Sequence, residues 1–204
     1  MDDIRRLYEE KFNSESSKVL TDEFFDRHIN KENAGNKELN RLKYSVSKLY
    51  GNVLDVGSAD GSGAYLMSEN KNIDHITCLE IQDKAIEKAK KNLKGINNIE
   101  IIKGIAEKIN YPDNSFDSIH CGATLEHVMD DEAAVREISR VAKDLVVFSV
   151  PIRGGISLQH VREYASIEEV ENLISLYLKI INQKMFITDC NETLILECKK
   201  QLHG

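Results

Sequence analysis

One short stretch limits what this chain can fold into: Asn52-Val53-Leu54-Asp55-Val56-Gly57-Ser58-Ala59-Asp60-Gly61-Ser62-Gly63. An apolar run containing an acidic residue ends in a glycine-rich turn, and a helical pattern begins at once. Strand, tight turn and helix in that order bring backbone N–H groups up to a ligand. Gly57, Gly61 and Gly63 supply dihedrals that side chains resist, and they leave the backbone open to close approach.

The rest of the chain continues the alternation. Apolar runs predict strands at 52–57, 74–80, 99–102, 116–121 and 145–150, and helical spacing predicts helices at 61–70, 84–94, 132–141 and 167–178. Asp83 and Asp131 are expected as helix caps, and Ser166 with Glu169 reads as a capping box. Pro151 is expected to stop the fifth strand. Two last strands, 180–188 and 192–199, flank Asp189-Cys190-Asn191 and read as a hairpin. The alternation predicts a parallel sheet covered on both faces, and the hairpin adds one antiparallel strand.

Residues 1–50 show no strand. Ile4, Leu7, Tyr8 and Phe12 recur at helical spacing, Phe24, Phe25 and Ile29 cluster, and Leu39, Leu42, Val46 and Leu49 form another helical face before Gly51. This segment reads as a helical N-terminal cap or lid, with 51–204 as the sheet domain. Tyr8 and His28 are candidates to face a pocket from it.

A length of 204 residues fits one domain with a small appendage. Net charge is −7, which lowers the expectation of a nucleic-acid partner. Cys78, Cys121, Cys190 and Cys198 form no CxxC pair and read as buried, reduced thiols. No metal-ligand cluster stands out, no apolar run reaches membrane-spanning length, and the expected location is cytoplasmic.

Spacing then narrows the ligand. A P-loop needs GxxxxGK[ST], but the sixth residue from Gly57 is Ser62, with no Lys after it. The dinucleotide fingerprint GxGxxG falls on Gly57, Ala59 and Ser62, so two of three positions fail. Asp55-Val56-Gly57-Ser58-Ala59-Asp60-Gly61 instead resembles the first motif of class I S-adenosylmethionine-dependent methyltransferases, hhDhGxGxG, with Ala59 at the middle glycine. Glu80, 23 residues after Gly57, stands where that family places an acidic residue on the ribose hydroxyls.

Gly104-Ile105-Ala106-Glu107 resembles the family's GDAE-like segment, with Ile105 in place of its Asp. Tyr111 to Asp117 resembles PFPDNSFD, Thr124-Leu125-Glu126-His127-Val128 resembles LEHV, and Arg136 to Val141 resembles ExxRVLKPGG without its Pro-Gly-Gly. The set is most similar to the type 11, ubiquinone-biosynthesis-like small-molecule branch. The resemblance implies a Rossmann-like three-layer α/β sandwich with a seven-stranded, mostly parallel sheet. It also implies S-adenosyl-L-methionine as cofactor and methyl transfer to O, N or C of a small-molecule acceptor. The cofactor-binding candidates it implies are Asp55, Gly57, Ser58, Ala59, Gly61 and Glu80, then Ile81, Ile105, Ala106 and Glu107, then Cys121, Gly122 and His127.

His127 is also the candidate base, standing against a purely structural histidine. Glu126 is expected to be structural or solvent-facing. Arg153, His160 and Arg162 are candidate acceptor contacts, with an Arg162–Glu163 structural pair as the competing reading. The alternative to catalysis is a methyltransferase-fold protein that binds cofactor or partner without turnover. The absence of [DNS]-P-P-[YF] at Cys121-Gly122-Ala123-Thr124 argues against N-methylation of nucleic acid.

Overall fold

The computed structural model describes residues 29, 36–153, 160–187 and 192–201. Tyr8, His28 and most of the expected cap lie outside the described residues, as do Cys190 and the hairpin turn.

The described elements are α1 (Lys37–Val46), β1 (Gly51–Val56), α2 (Ser62–Ser68), β2 (Ile73–Glu80), α3 (Asp83–Asn92), β3 (Ile99–Lys103) and β4 (Phe116–Gly122), followed by α4 (Asp131–Val141), β5 (Ala142–Ile152), α5 (Ile167–Ser175), β6 (Leu178–Ile187) and β7 (Glu192–Lys200). They build one seven-stranded sheet in the order β3-β2-β1-β4-β5-β7-β6. β1 to β5 pair in parallel, and β7 runs antiparallel to both its neighbours. The expected single antiparallel strand is therefore β7.

Alternation along each strand sends side chains to two cores. Leu54, Val56, Ile119 and Phe148 pack with Val135, Ile138 and Ile174 of α4 and α5. Val53, Ile76 and Val147 pack on the other face with Leu39, Leu42 and Val46 of α1, Met67 of α2 and Ala89 of α3. Asp55 has the parity of Val53, so the motif's carboxylate points to the α1–α3 face. After β3 the chain crosses back past β2 and β1 to β4, and the gap outside the carboxyl ends of β1 and β4 is the switch point where such sheets bind ligands.

Several local expectations shift. The cap of α3 is Gln82, with no side-chain bond, and Asp83 is the first helical residue, paired with Lys103 Nζ at 2.7 Å. The cap of α4 is Asp130, whose side chain accepts from the Ala133 N–H at 2.9 Å, while Asp131 is the first helical residue. Ser166 caps α5 as expected by accepting from the Glu169 N–H at 3.2 Å, and Glu169 reaches back to the N–H of Ala165 rather than Ser166. Strand β5 runs through Pro151 to Ile152, paired with Thr193 and Glu192 of β7. The last residue of β5 paired to β4 is Ser149, so the missing Pro151 N–H leaves no gap in that ladder. The three described cysteines are buried, free thiols.

Candidate active site

The glycine turn is held by β2. The N–H groups of Gly57 and Ser58 donate to Leu79 O at 2.8 and 3.2 Å, and the Ala59 N–H donates to Glu80 Oε2 at 2.9 Å. Three residues of the turn are left-handed: Gly57 at φ 72°, Ala59 at φ 48° and Gly61 at φ 84°. A Cβ on Gly57 would run into the Thr124 side chain, whose Oγ1 donates to Val56 O at 3.0 Å. Gly57 is therefore required twice, by its dihedral and by the loop after β4 seated against it.

Glu80 ends β2 deep in the fold. Besides Ala59, its Oε1 accepts from the N–H groups of Ile81 and Gln82, both at 2.8 Å. Burial raises its pKa, and those backbone donors oppose the rise. A carboxylate offers about four acceptor sites, so three are already taken.

Across the sheet, Asp55 Oδ1 lies 2.8 Å from His120 Nδ1, both side chains being about 4% exposed. Nδ1 of His120 thus faces the Asp55 carboxylate, and Nε2 is the ring's other polar atom. That Nε2 is buried and has no partner.

A cleft of about 360 Å³ opens over these residues. Asp55, Gly57, Ser58, Ala59 and Glu80 line its floor, with Ile81, Ile105 and Ala106 forming an apolar wall. Gly122, His127 and His160 line it as well. Gly61 stands behind the turn as the cap of α2, and Cys121 points into the core beneath α4. Glu107 is turned away, accepting from the Met129 N–H at 2.9 Å. Arg153 donates to Ala165 O at 3.1 Å and does not line the cleft.

Arg162 also lies behind the cleft. Its guanidinium donates to the carbonyls of Leu125, Val128 and Met129 at 2.7–3.0 Å, and its Nε sits 3.1 Å from Asp131. The anticipated Arg162–Glu163 pair is replaced by one with Asp131, because the Leu125–Met129 turn closes over the guanidinium. That turn pulls Glu126 inward. Its side chain is 3% exposed, which corrects the solvent-facing expectation. Burial pushes its pKa up to about 7, and Oε2 has no partner. His127 Nε2 lies 3.9 Å from Glu126 Oε1, and the His127 and His160 rings meet edge-on with centroids 4.9 Å apart.

Among the cleft residues that escaped the sequence reading are His120, Thr124, Glu38 and Arg41. Arg41 donates to Glu38 at 2.9 Å and to Ser149 Oγ, bringing α1 over the ends of β4 and β5. The signal for His120 was its place one residue before the Cys121-Gly122 strand end.

With this geometry in place, comparison with known proteins is informative. Residues 54–149 match the family model described as "Methyltransferase domain". A demethylmenaquinone methyltransferase of Listeria welshimeri is 33% identical over 95 residues, 45% of this chain and 40% of that protein. A chloroplastic 2-methyl-6-phytyl-1,4-hydroquinone methyltransferase of Oryza sativa is 30% identical over 91 residues, covering 45% of this chain and 27% of that one. The matched stretch thus spans less than half of these relatives.

Among solved structures, YcgJ of Bacillus subtilis superposes with a TM-score of 0.67 at 19% identity, over 81% of this chain and 98% of that one. An S-adenosylmethionine-dependent methyltransferase from Aquifex aeolicus gives 0.65 at 19% identity, over 81% and 89%. Residues 54–149 thus match a methyltransferase-domain model, and the chain shares its fold with these solved structures over about four fifths of its length.

Proposed function

We propose that the chain is a methyltransferase that moves a methyl group from S-adenosyl-L-methionine to O, N or C of a small-molecule acceptor. One observation carries the reading: the left-handed Gly57–Gly61 turn and the buried Glu80 carboxylate meet at a single cleft, joined by the Ala59–Glu80 hydrogen bond.

The residues fit the cofactor. The unpartnered His120 Nε2 and the Asp55 carboxylate offer acceptors for an ammonium group. Glu80 keeps one acceptor site for a ribose hydroxyl, and Leu79, Ile81, Ile105 and Ala106 suit the face of an adenine. When bound, the cofactor supplies a sulfonium-activated methyl group, whose departure leaves a neutral thioether. The protein's task is then mainly alignment, which can supply several kcal/mol of a barrier.

The acceptor end of the cleft is the part where Glu126, His127 and His160 gather, and Arg41 and Pro151 close it. His127 and His160 orient the acceptor. Arg162 acts through the turn it holds. Residues 1–50 contribute α1 to this end, which supports their reading as a cap. The relatives named for menaquinone and hydroquinone precursors support a small organic acceptor, and the acidic net charge speaks against a nucleic acid. Among the described residues no helix is long and apolar enough to cross a membrane. The reading assigns the protein to the cytoplasm.

Calorimetry with S-adenosylmethionine and its demethylated product tests the assignment. Saturable binding is expected, and none at millimolar ligand would overturn it. Binding without turnover across a broad acceptor panel would instead favour a non-catalytic member of the fold.

A further inference from the structure

The acceptor end of the cleft holds a cluster that the sequence keeps apart. Glu126, His127 and His160 each offer a ligand atom, and these atoms lie within 4.8 Å of one another. His160 comes from the segment after β5, 33 residues beyond His127 in the chain. Two imidazoles and one carboxylate leave coordination positions open, as metal sites that act on substrates require.

The carboxylate gives independent support. Glu126 is 2% exposed, lines the cleft, and keeps Oε2 without any hydrogen-bond partner. A buried polar oxygen without a partner is costly, so such an atom calls for an explanation. The backbone around it is fixed: the N–H groups of Val161 and Arg162 donate to Glu126 O at 2.8 and 3.3 Å, tying the His160 segment to the Glu126 turn. The two halves of the cluster are therefore held together without any ligand.

We propose that Glu126, His127 and His160 bind a divalent first-row transition-metal cation whose open positions face the cleft. Ligand atoms about 2.1 Å from a shared cation stand roughly 3–3.5 Å from each other. Glu126 Oε1 and His127 Nε2, now 3.9 Å apart, come within that range by small side-chain rotations. The donor set of two nitrogens and one oxygen suits zinc, iron, cobalt or manganese better than calcium or magnesium. The nearby positive charge of Arg41 is offset by its partner Glu38. At the open positions the cation takes oxygen atoms of water or of the acceptor, and so holds the acceptor in register. That last role rests on the methyl-transfer reading; the binding of the cation does not.

The test uses the full chain stripped with a chelator and dialysed. Co2+ is titrated in while visible absorption is followed, and Zn2+ is then added in competition. One equivalent of Co2+ with ligand-field bands is expected, displaced by one equivalent of Zn2+. Glu126→Gln, His127→Gln and His160→Gln should each weaken binding at least tenfold. Absence of saturable binding by the wild type, or wild-type affinity retained in all three variants, would overturn the proposal.

Thermal unfolding of the wild type gives a check that needs no variant. Excess Co2+ should raise the midpoint reversibly, and an unchanged midpoint would count against the site. Calorimetry with the demethylated cofactor on the same sample separates the two readings, because its failure alone would leave the cation site standing. Loss of turnover on chelation would mark the cation as part of the acceptor site, whereas His127 acting alone as a base predicts indifference to chelators.

Discussion

Glu80 and Glu126 are two buried carboxylates that line one cleft, and their surroundings differ in kind. Glu80 takes three backbone N–H bonds from Ala59, Ile81 and Gln82. Glu126 is as deeply buried, yet one of its oxygens bonds to nothing. Burial raises the pKa of both, but only for Glu80 do several backbone donors push it back. A carboxylate surrounded by fixed donors is part of the scaffold that shapes the cofactor end. One left short of partners keeps its capacity for something that arrives later, at what we propose to be the acceptor end.

The sharpest way to break this contrast is to remove Glu80. Glu80→Ala strands three backbone donors and removes the acceptor proposed for the ribose. Each hydrogen bond to a charged group is worth about 1.5–3 kcal/mol. Cofactor affinity should fall by more than tenfold, and the unfolding midpoint should fall with it. Calorimetry and thermal unfolding on one sample check both. Unchanged affinity would remove Glu80 from the cofactor site.

The second test acts on Glu126 through its support. Arg162→Ala removes three bonds to the carbonyls of Leu125, Val128 and Met129 and the pair with Asp131. Losing charged hydrogen bonds of this kind costs roughly 1.5–3 kcal/mol each at most, reduced where water replaces the guanidinium. Stability should drop by about 2 kcal/mol in urea unfolding, while cofactor affinity changes little. A selective loss of cofactor affinity would mean that the two ends of the cleft are not separate.

What the sequence made legible follows the same division. The position of Glu80 was readable because it depends on local order: a strand end at a fixed distance from a glycine turn. The strand–helix alternation was readable for the same reason, since burial on both faces writes itself as apolar runs. Glu126 was left between a structural and a solvent-facing reading because the turn that buries it is held by Arg162, 36 residues further on. The meeting of His127 with His160, and of His120 with Asp55, needed the strand order and the side-chain parity of β1 and β4. Asp130 and Asp131 are both acidic, and only backbone geometry shows which one caps α4.

The third test predicts a change of opposite sign. Glu126→Gln keeps the shape and removes a buried charge that lacks a full set of partners. In the presence of chelator, the variant should be as stable as the wild type or more stable, by up to about 1 kcal/mol. The matching Glu80→Gln must turn an N–H toward at least one backbone donor, and should be destabilised. Urea unfolding of the pair checks the contrast, and a loss of stability in Glu126→Gln equal to that in Glu80→Gln would dissolve it.

The smallest effect concerns Ala59, the residue at the middle glycine of the motif. Its φ of 48° lies in the left-handed region, where an L-residue other than glycine pays about 1–2 kcal/mol. That conformation is what carries the Ala59 N–H to Glu80 Oε2. Ala59→Gly relieves the strain but adds about 0.4–1 kcal/mol of conformational freedom to the unfolded chain. The two terms nearly cancel, leaving a stabilisation of about 0.5 kcal/mol or less. The informative measurement is the same substitution made on Glu80→Gln. If the Glu80 bond holds Ala59 in its strained state, glycine should help more when that bond is weakened. Equal effects in the two backgrounds would show that the turn keeps its shape without Glu80, and that the carboxylate serves only the ligand.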